Sequence, residues 1–93
     1  MAERRSKQEI VYDILELIRK KTKVKPTHIL YKGNLSYNRL KIYLDDLEQK
    51  QLIAKVEEKH KKTMRTFYKL TDKGFMFLEQ IGKIREVEEA FGI

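Results

Sequence analysis

Pro26-Thr27-His28-Ile29-Leu30-Tyr31-Lys32-Gly33-Asn34-Leu35-Ser36-Tyr37-Asn38-Arg39-Leu40 contains the only proline of the chain and, within a few turns, the end of one helix and the start of another. Pro26 or Thr27 opens a short helix over Thr27 to Lys32, because proline lacks the N–H that a first turn leaves unused. Gly33 follows, and glycine suits the left-handed conformation that ends helices. Asn34 and Leu35 make the turn. Ser36 then caps a helix running to about Lys50, with Leu40, Leu44 and Leu47 on one apolar stripe. Helix, a three-residue turn containing glycine, and a capped helix together form a helix-turn-helix arrangement.

Upstream, Ser6 and Glu9 have capping-box spacing and open a helix to about Lys21. Its stripe is Ile10, Ile14, Leu17 and Ile18, with Val11 alongside, and Lys20, Lys21 and Lys23 place positive charge at its negative end. Downstream the period changes from helical to alternating. Leu52, Ala54 and Val56 alternate over Leu52 to Glu58, and Met64 to Leu70 is rich in β-branched and aromatic residues. Lys59-His60-Lys61-Lys62-Thr63 is the basic loop between these two strands, so a wing follows the helix-turn-helix. Thr71 caps a last helix from Asp72 to about Phe91. The expected fold is α+β, mainly α: a winged helix-turn-helix of order ααα-ββ-α in residues 1–70, with a long C-terminal helix in residues 71–93.

Three stretches resemble an archaeal winged-helix group: Asn34-Leu35-Ser36-Tyr37; Tyr43-Leu44-Asp45-Asp46-Leu47-Glu48-Gln49-Lys50-Gln51-Leu52-Ile53; and Tyr68-Lys69-Leu70-Thr71-Asp72-Lys73-Gly74. Members of that group are small basic DNA-binding proteins that dimerise through a C-terminal helix, and some are regarded as chromatin proteins. The Leu-Thr-x-x-Gly ending of the wing is shared more widely, with multiple-antibiotic-resistance and phenolic-acid-type regulators. The chain departs from the pattern at Gln51, where such proteins often carry Gly after the third helix. The resemblance implies a DNA-binding protein acting as a transcriptional regulator or as an architectural chromatin protein.

Charge agrees with a polyanionic partner. The chain has a formal net charge of +7, a balance that by itself does not choose among DNA, RNA and a membrane surface. Residues 1–35 hold nine Lys/Arg against four Asp/Glu, residues 36–70 nine against five, and residues 71–93 three against five. The positive field therefore lies in the first three quarters, and the last helix is a poor partner for phosphate.

In a helix-turn-helix the second helix enters the major groove with its N-terminal half on base edges. Helix 36–50 is therefore expected to contact double-stranded DNA through Ser36, Tyr37, Asn38, Arg39 and Lys41. Asn38 suits adenine and Arg39 guanine, while the others suit phosphate. In wing 57–66, Lys59, Lys61, Lys62 and Arg65 are expected to meet phosphate or the adjacent minor groove. In the last helix, Phe77, Ile81, Ile84, Val87 and Phe91 form a stripe expected to pair two copies into a homodimer. The other reading of the same pattern is a winged helix that binds protein or RNA within a larger assembly.

Other chemistry is not expected. With no cysteine, disulfides and thiolate metal sites are excluded. His28 and His60 have no second ligand at metal spacing. Asp45-Asp46 and Glu57-Glu58 are adjacent pairs whose side chains diverge, which does not suit paired-carboxylate catalysis. No cofactor motif is present, and the chain is not expected to be an enzyme. Met1-Ala2-Glu3-Arg4-Arg5 leads into no hydrophobic signal region and no apolar run is long enough to span a membrane, so a cytoplasmic, nucleoid-associated location is expected.

Overall fold

The structure is a computed structural model that describes residues 6–33 and 36–92. Its elements are α1 (Lys7–Lys21), β1 (Lys23–Val24), α2 (Pro26–Gly33), α3 (Tyr37–Gln49), β2 (Ile53–His60), β3 (Thr63–Leu70) and α4 (Asp72–Ala90). The expected turn at Asn34 and Leu35 lies outside the described residues.

All three expected serine and threonine caps form. The Ser6 hydroxyl accepts from the Glu9 N–H at 3.1 Å, that of Ser36 from the Arg39 N–H at 3.3 Å, and that of Thr71 from the Gly74 N–H at 3.0 Å. Each cap satisfies a donor that the first helical turn leaves without a partner.

The winged helix-turn-helix forms as expected, with one more strand than its sequence suggested. β1 pairs antiparallel with β3, Lys23 opposite Lys69 and Val24 opposite Tyr68, giving a three-stranded sheet of order β1-β3-β2. Lys23 is thus in a strand rather than at the end of a helix. Between α1 and β1, Thr22 has φ 70 and ψ −51, near the strained γ-turn region, which is unfavourable for a β-branched residue. β2 and β3 pair from Ile53–Leu70 to His60–Thr63. The expected five-residue loop is therefore a two-residue turn, Lys61-Lys62, with positive φ at Lys61 only, the pattern of a type II′ turn.

The core joins every element. Ile10, Ile14, Leu15 and Ile18 of α1 meet Val24, Ile29, the stripe Leu40, Leu44 and Leu47, then Leu52, Ile53, Tyr68, Leu70 and Leu78. Leu15 lies outside the stripe expected for α1. It is buried because α1 packs against α2, β1, β3 and α4, so a wider arc of its surface is covered. Burial of one such side chain contributes about 1.5–3 kcal/mol.

The join from α3 to β2 explains the departure at Gln51. Its N–H donates to the Glu48 carbonyl at 3.0 Å, and the Leu52 N–H donates to the Leu47 carbonyl at 3.0 Å. This is the Schellman arrangement, with Leu47 and Leu52 both buried as its apolar pair. Gln51 holds the glycine position at φ 64. The geometry of the helix end is kept, with local strain in place of a permissive residue.

The Leu-Thr-x-x-Gly segment locks α4 onto that same turn. The Thr71 hydroxyl donates to the Gln51 carbonyl at 2.6 Å and its N–H to the Leu52 carbonyl at 3.2 Å. Gly74 is buried there. A Cβ on it would overlap the Leu52 carbonyl oxygen and lie 3.1 Å from Leu70 Cδ2. Only glycine allows the helix to approach so closely.

Candidate nucleic-acid interface

α3 is capped at Ser36 and anchored by Leu40, Leu44 and Leu47, so the packing of those leucines sets what it presents outward. Successive residues turn by about 100°. Asn38, Ile42 and Gln49 therefore lie within about 30° of the direction opposite the leucines, with Asp45 beside them. All four are exposed. Arg39 and Lys41 lie on opposite flanks of this row, and Ser36 and Tyr37 are exposed at the helix start. The row thus has polar and apolar groups along its centre and a cation on each side. Ile42 was not among the residues expected here. Its signal in the sequence is that it is an apolar residue off the leucine stripe, four residues after Asn38.

The wing carries its basic residues on both faces. Paired residues point to the same side of a sheet, so Lys59 and Met64 share the face that continues from the buried Ile53, Tyr68 and Leu70. Glu58 and Arg65 share the other. Lys59 and Arg65 therefore point to opposite sides, and Lys61 and Lys62 cap the tip. All four are exposed, as is His60. Glu58 is engaged by Lys23, whose ammonium also sits 4.8 Å from the centre of the Phe67 ring. That contact fastens the outer face of the wing to β1.

Two open concavities border these elements. One, of about 310 Å³, runs between the start of α1 and α3 and is lined by Lys7, Arg39, Ile42, Tyr43 and Asp46. The other, of about 400 Å³, lies where α1 ends and α2 begins, with Lys21, Lys23, Lys25, Thr27 and His28 around Phe67. Lys21 and Lys23, expected as helix-end charges, thus line a basic concavity. Among the described residues, no three His, Asp or Glu side chains gather in a way that could hold a metal ion.

At the root of the wing, Tyr68 is buried beneath α3. Burial pushes its hydroxyl above the usual tyrosine range, with Glu48, Asp45 and Tyr37 adding to the rise and Lys55 opposing it. Glu16 on α1 is held below the usual carboxylate range, first by its hydrogen bond with Arg19.

α4 has two distinct sides. Gly74 and Leu78 face the domain, and the Arg85 guanidinium lies 4.2 Å from the centre of the Tyr12 ring of α1. Ile81 is half-buried at the edge of that side, apart from the other expected stripe residues. Phe77, Ile84, Val87 and Phe91 are exposed, Ile84 at 57% and Phe91 at 78%. Met76, missed in the sequence, joins their side. Phe75 was expected to help close the domain with Leu78. It is exposed instead, because it lies about 100° around the helix from Gly74. No helix among the described residues is long and apolar enough to cross a membrane.

A capped helix set outward after a short helix, beside a basic hairpin, defines a winged helix-turn-helix protein. The chain matches the winged helix-turn-helix family over residues 4–89 and belongs to it. That membership points to a non-enzymatic DNA-binding protein. No curated protein matches its sequence. Among solved structures it is similar to Sso10a-2, a DNA-binding protein from Sulfolobus solfataricus, at 27% identity over 95% of this chain and 90% of that one, with a TM-score of 0.69. It is also similar to smu.1704 from Streptococcus mutans UA159, at 24% identity over 96% and 87% of the two chains and a TM-score of 0.82. A PadR family transcriptional regulator from Eggerthella lenta shares the fold at 19% identity over 91% and 80%, with a TM-score of 0.72.

Proposed function

We propose that the protein is a homodimeric regulator of transcription or architectural DNA protein that binds duplex DNA, with α3 in the major groove and the wing on the flanking phosphates. The observation that carries this reading is the outward row of α3, an amide and other groups suited to base edges between two flanking cations, beside a hairpin tip made of lysines. α4 supports pairing: one side covers α1, while Phe77, Ile84, Val87 and Phe91 on the other leave a large apolar surface for a second copy. A two-fold pair presents two recognition helices to one duplex at a fixed spacing. Likeness to a DNA-binding protein from Sulfolobus solfataricus and to transcriptional regulators is in keeping with it.

The test is binding of the full chain to duplex and to single-stranded DNA across a salt series. Duplex binding should be preferred, and log affinity should fall linearly with log salt. Asn38→Ala and Arg39→Ala should each weaken binding by about 1–3 kcal/mol if their side chains meet base edges. Equal affinity for single strands, or two folded variants that bind as the wild type does, would move the activity to another surface or to RNA or protein partners. A footprint with one discrete site would favour a regulator, and continuous coverage an architectural protein.

A further inference from the structure

We infer that Ile42 reads the 5-methyl group of thymine, so that α3 prefers A·T pairs; this rests on the DNA-binding reading above. An exposed aliphatic side chain is ordinary on a protein surface, so its position must carry the case. Ile42 is 69% exposed and lies almost opposite the buried leucines of α3, at the centre of the row meant for the groove floor. Arg39 and Lys41 flank it, as two cations would if phosphates rose on either side. Its neighbours in the row, Asn38, Asp45 and Gln49, are all polar, and on one flank it borders the concavity it shares with Lys7, Arg39, Tyr43 and Asp46. A protein partner would call for a contiguous apolar patch. The major groove offers a single kind of apolar group at base edges, the thymine methyl.

The spacing agrees. Asn38 stands four residues before Ile42, about 6 Å along the axis, against roughly 3.4 Å between successive base pairs. The two side chains can therefore meet pairs one or two steps apart, Asn38 an adenine edge and Ile42 a thymine methyl. The β-branched isoleucine holds its side chain in few rotamers, so little freedom is lost on contact.

The experiment compares the full chain on two alternating duplexes of equal length, one of adenine and thymine, the other with uracil in place of thymine. Charge and pairing are identical, and only the methyl groups differ. Wild-type protein should bind the uracil duplex about fourfold more weakly for each Ile42 engaged, the effect of one methyl-sized burial. Ile42→Ala should bind the two duplexes alike, and Ile42→Val should keep part of the difference. Changes in duplex shape act on all variants equally and cancel in this comparison. Equal wild-type binding to both duplexes overturns the assignment while leaving DNA binding intact. Discrimination that persists undiminished in Ile42→Ala assigns the methyl to another residue and also overturns it. Failure to bind either duplex removes the DNA-binding reading, and this inference with it.

Discussion

Replacing Gly74 with Ala adds one methyl group where the first turn of α4 meets the end of α3. The added Cβ overlaps the Leu52 carbonyl oxygen and lies 3.2 Å from the Leu52 carbonyl carbon. Backbone cannot rotate away as a side chain does, so α4 or the 51–52 turn must move. Two hydrogen bonds cross that junction, from the Thr71 hydroxyl to the Gln51 carbonyl and from the Thr71 N–H to the Leu52 carbonyl. Overpacking costs about 1–3 kcal/mol, and a weakened neutral hydrogen bond about 0.5–1.5 kcal/mol. Together these give a loss of about 2–4 kcal/mol, a fall in Tm of roughly 10–30 °C for a domain of this size. Gly82→Ala on the same helix is the control of opposite sign, since no atom lies within 4 Å of a Cβ built there. Mid-helix alanine should then stabilise by about 0.8–1 kcal/mol. Thermal and urea unfolding followed by circular dichroism measure both. If Gly74→Ala unfolds within a few degrees of the wild type, the close approach at Leu52 does not exist. If Gly82→Ala falls instead, and falls further on dilution, a second helix crosses at Gly82 in a dimer.

Three other outcomes follow from the same structure. Ile84→Asp should yield monomers by sedimentation, with lower thermal stability and much weaker DNA binding; a wild-type chain that is itself monomeric at tens of micromolar makes the apolar side of α4 something other than a dimer face. Neutralising Lys59, Lys61 and Lys62 together should weaken binding to every duplex alike and reduce the salt slope by up to roughly 0.9 per lost phosphate contact. An unchanged slope leaves the wing tip solvated. The raised Tyr68 group favours the native state while protonated, so its contribution is complete below the unfolded tyrosine value of about 10 and is lost as pH rises through the folded value. Tyr68→Phe should therefore flatten the alkaline decline in unfolding free energy; a decline of the same steepness in the variant assigns it to other groups.

Much of the architecture is encoded locally. Ser6, Ser36 and Thr71 mark helix starts because a cap needs only a side-chain oxygen and the N–H a few residues on. The leucines of α3 report burial through their period and the alternation of β2 reports a strand, so the helix-turn-helix, the hairpin and the residues facing outward near Asn38 can be read directly, whereas the buried face of β2 is that of Ile53 rather than of Ala54 and Val56. Other features depend on partners distant in the chain. β1 is two residues long and is a strand only because Lys23 and Val24 meet Lys69 and Tyr68. The length of the wing turn follows from register, which also sends Lys59 and Arg65 to opposite faces. Gln51 hides its left-handed backbone, since glycine is the usual sign of one and the Schellman bonds impose it here. The last helix shows the division most clearly. Its sequence specifies a capped helix with apolar residues on more than one side. Packing on α1 covers Leu78, half-covers Ile81 and leaves Met76, Phe77, Ile84, Val87 and Phe91 exposed. A helical period states which residues share a side, but only the neighbour that covers one side determines which side is left open.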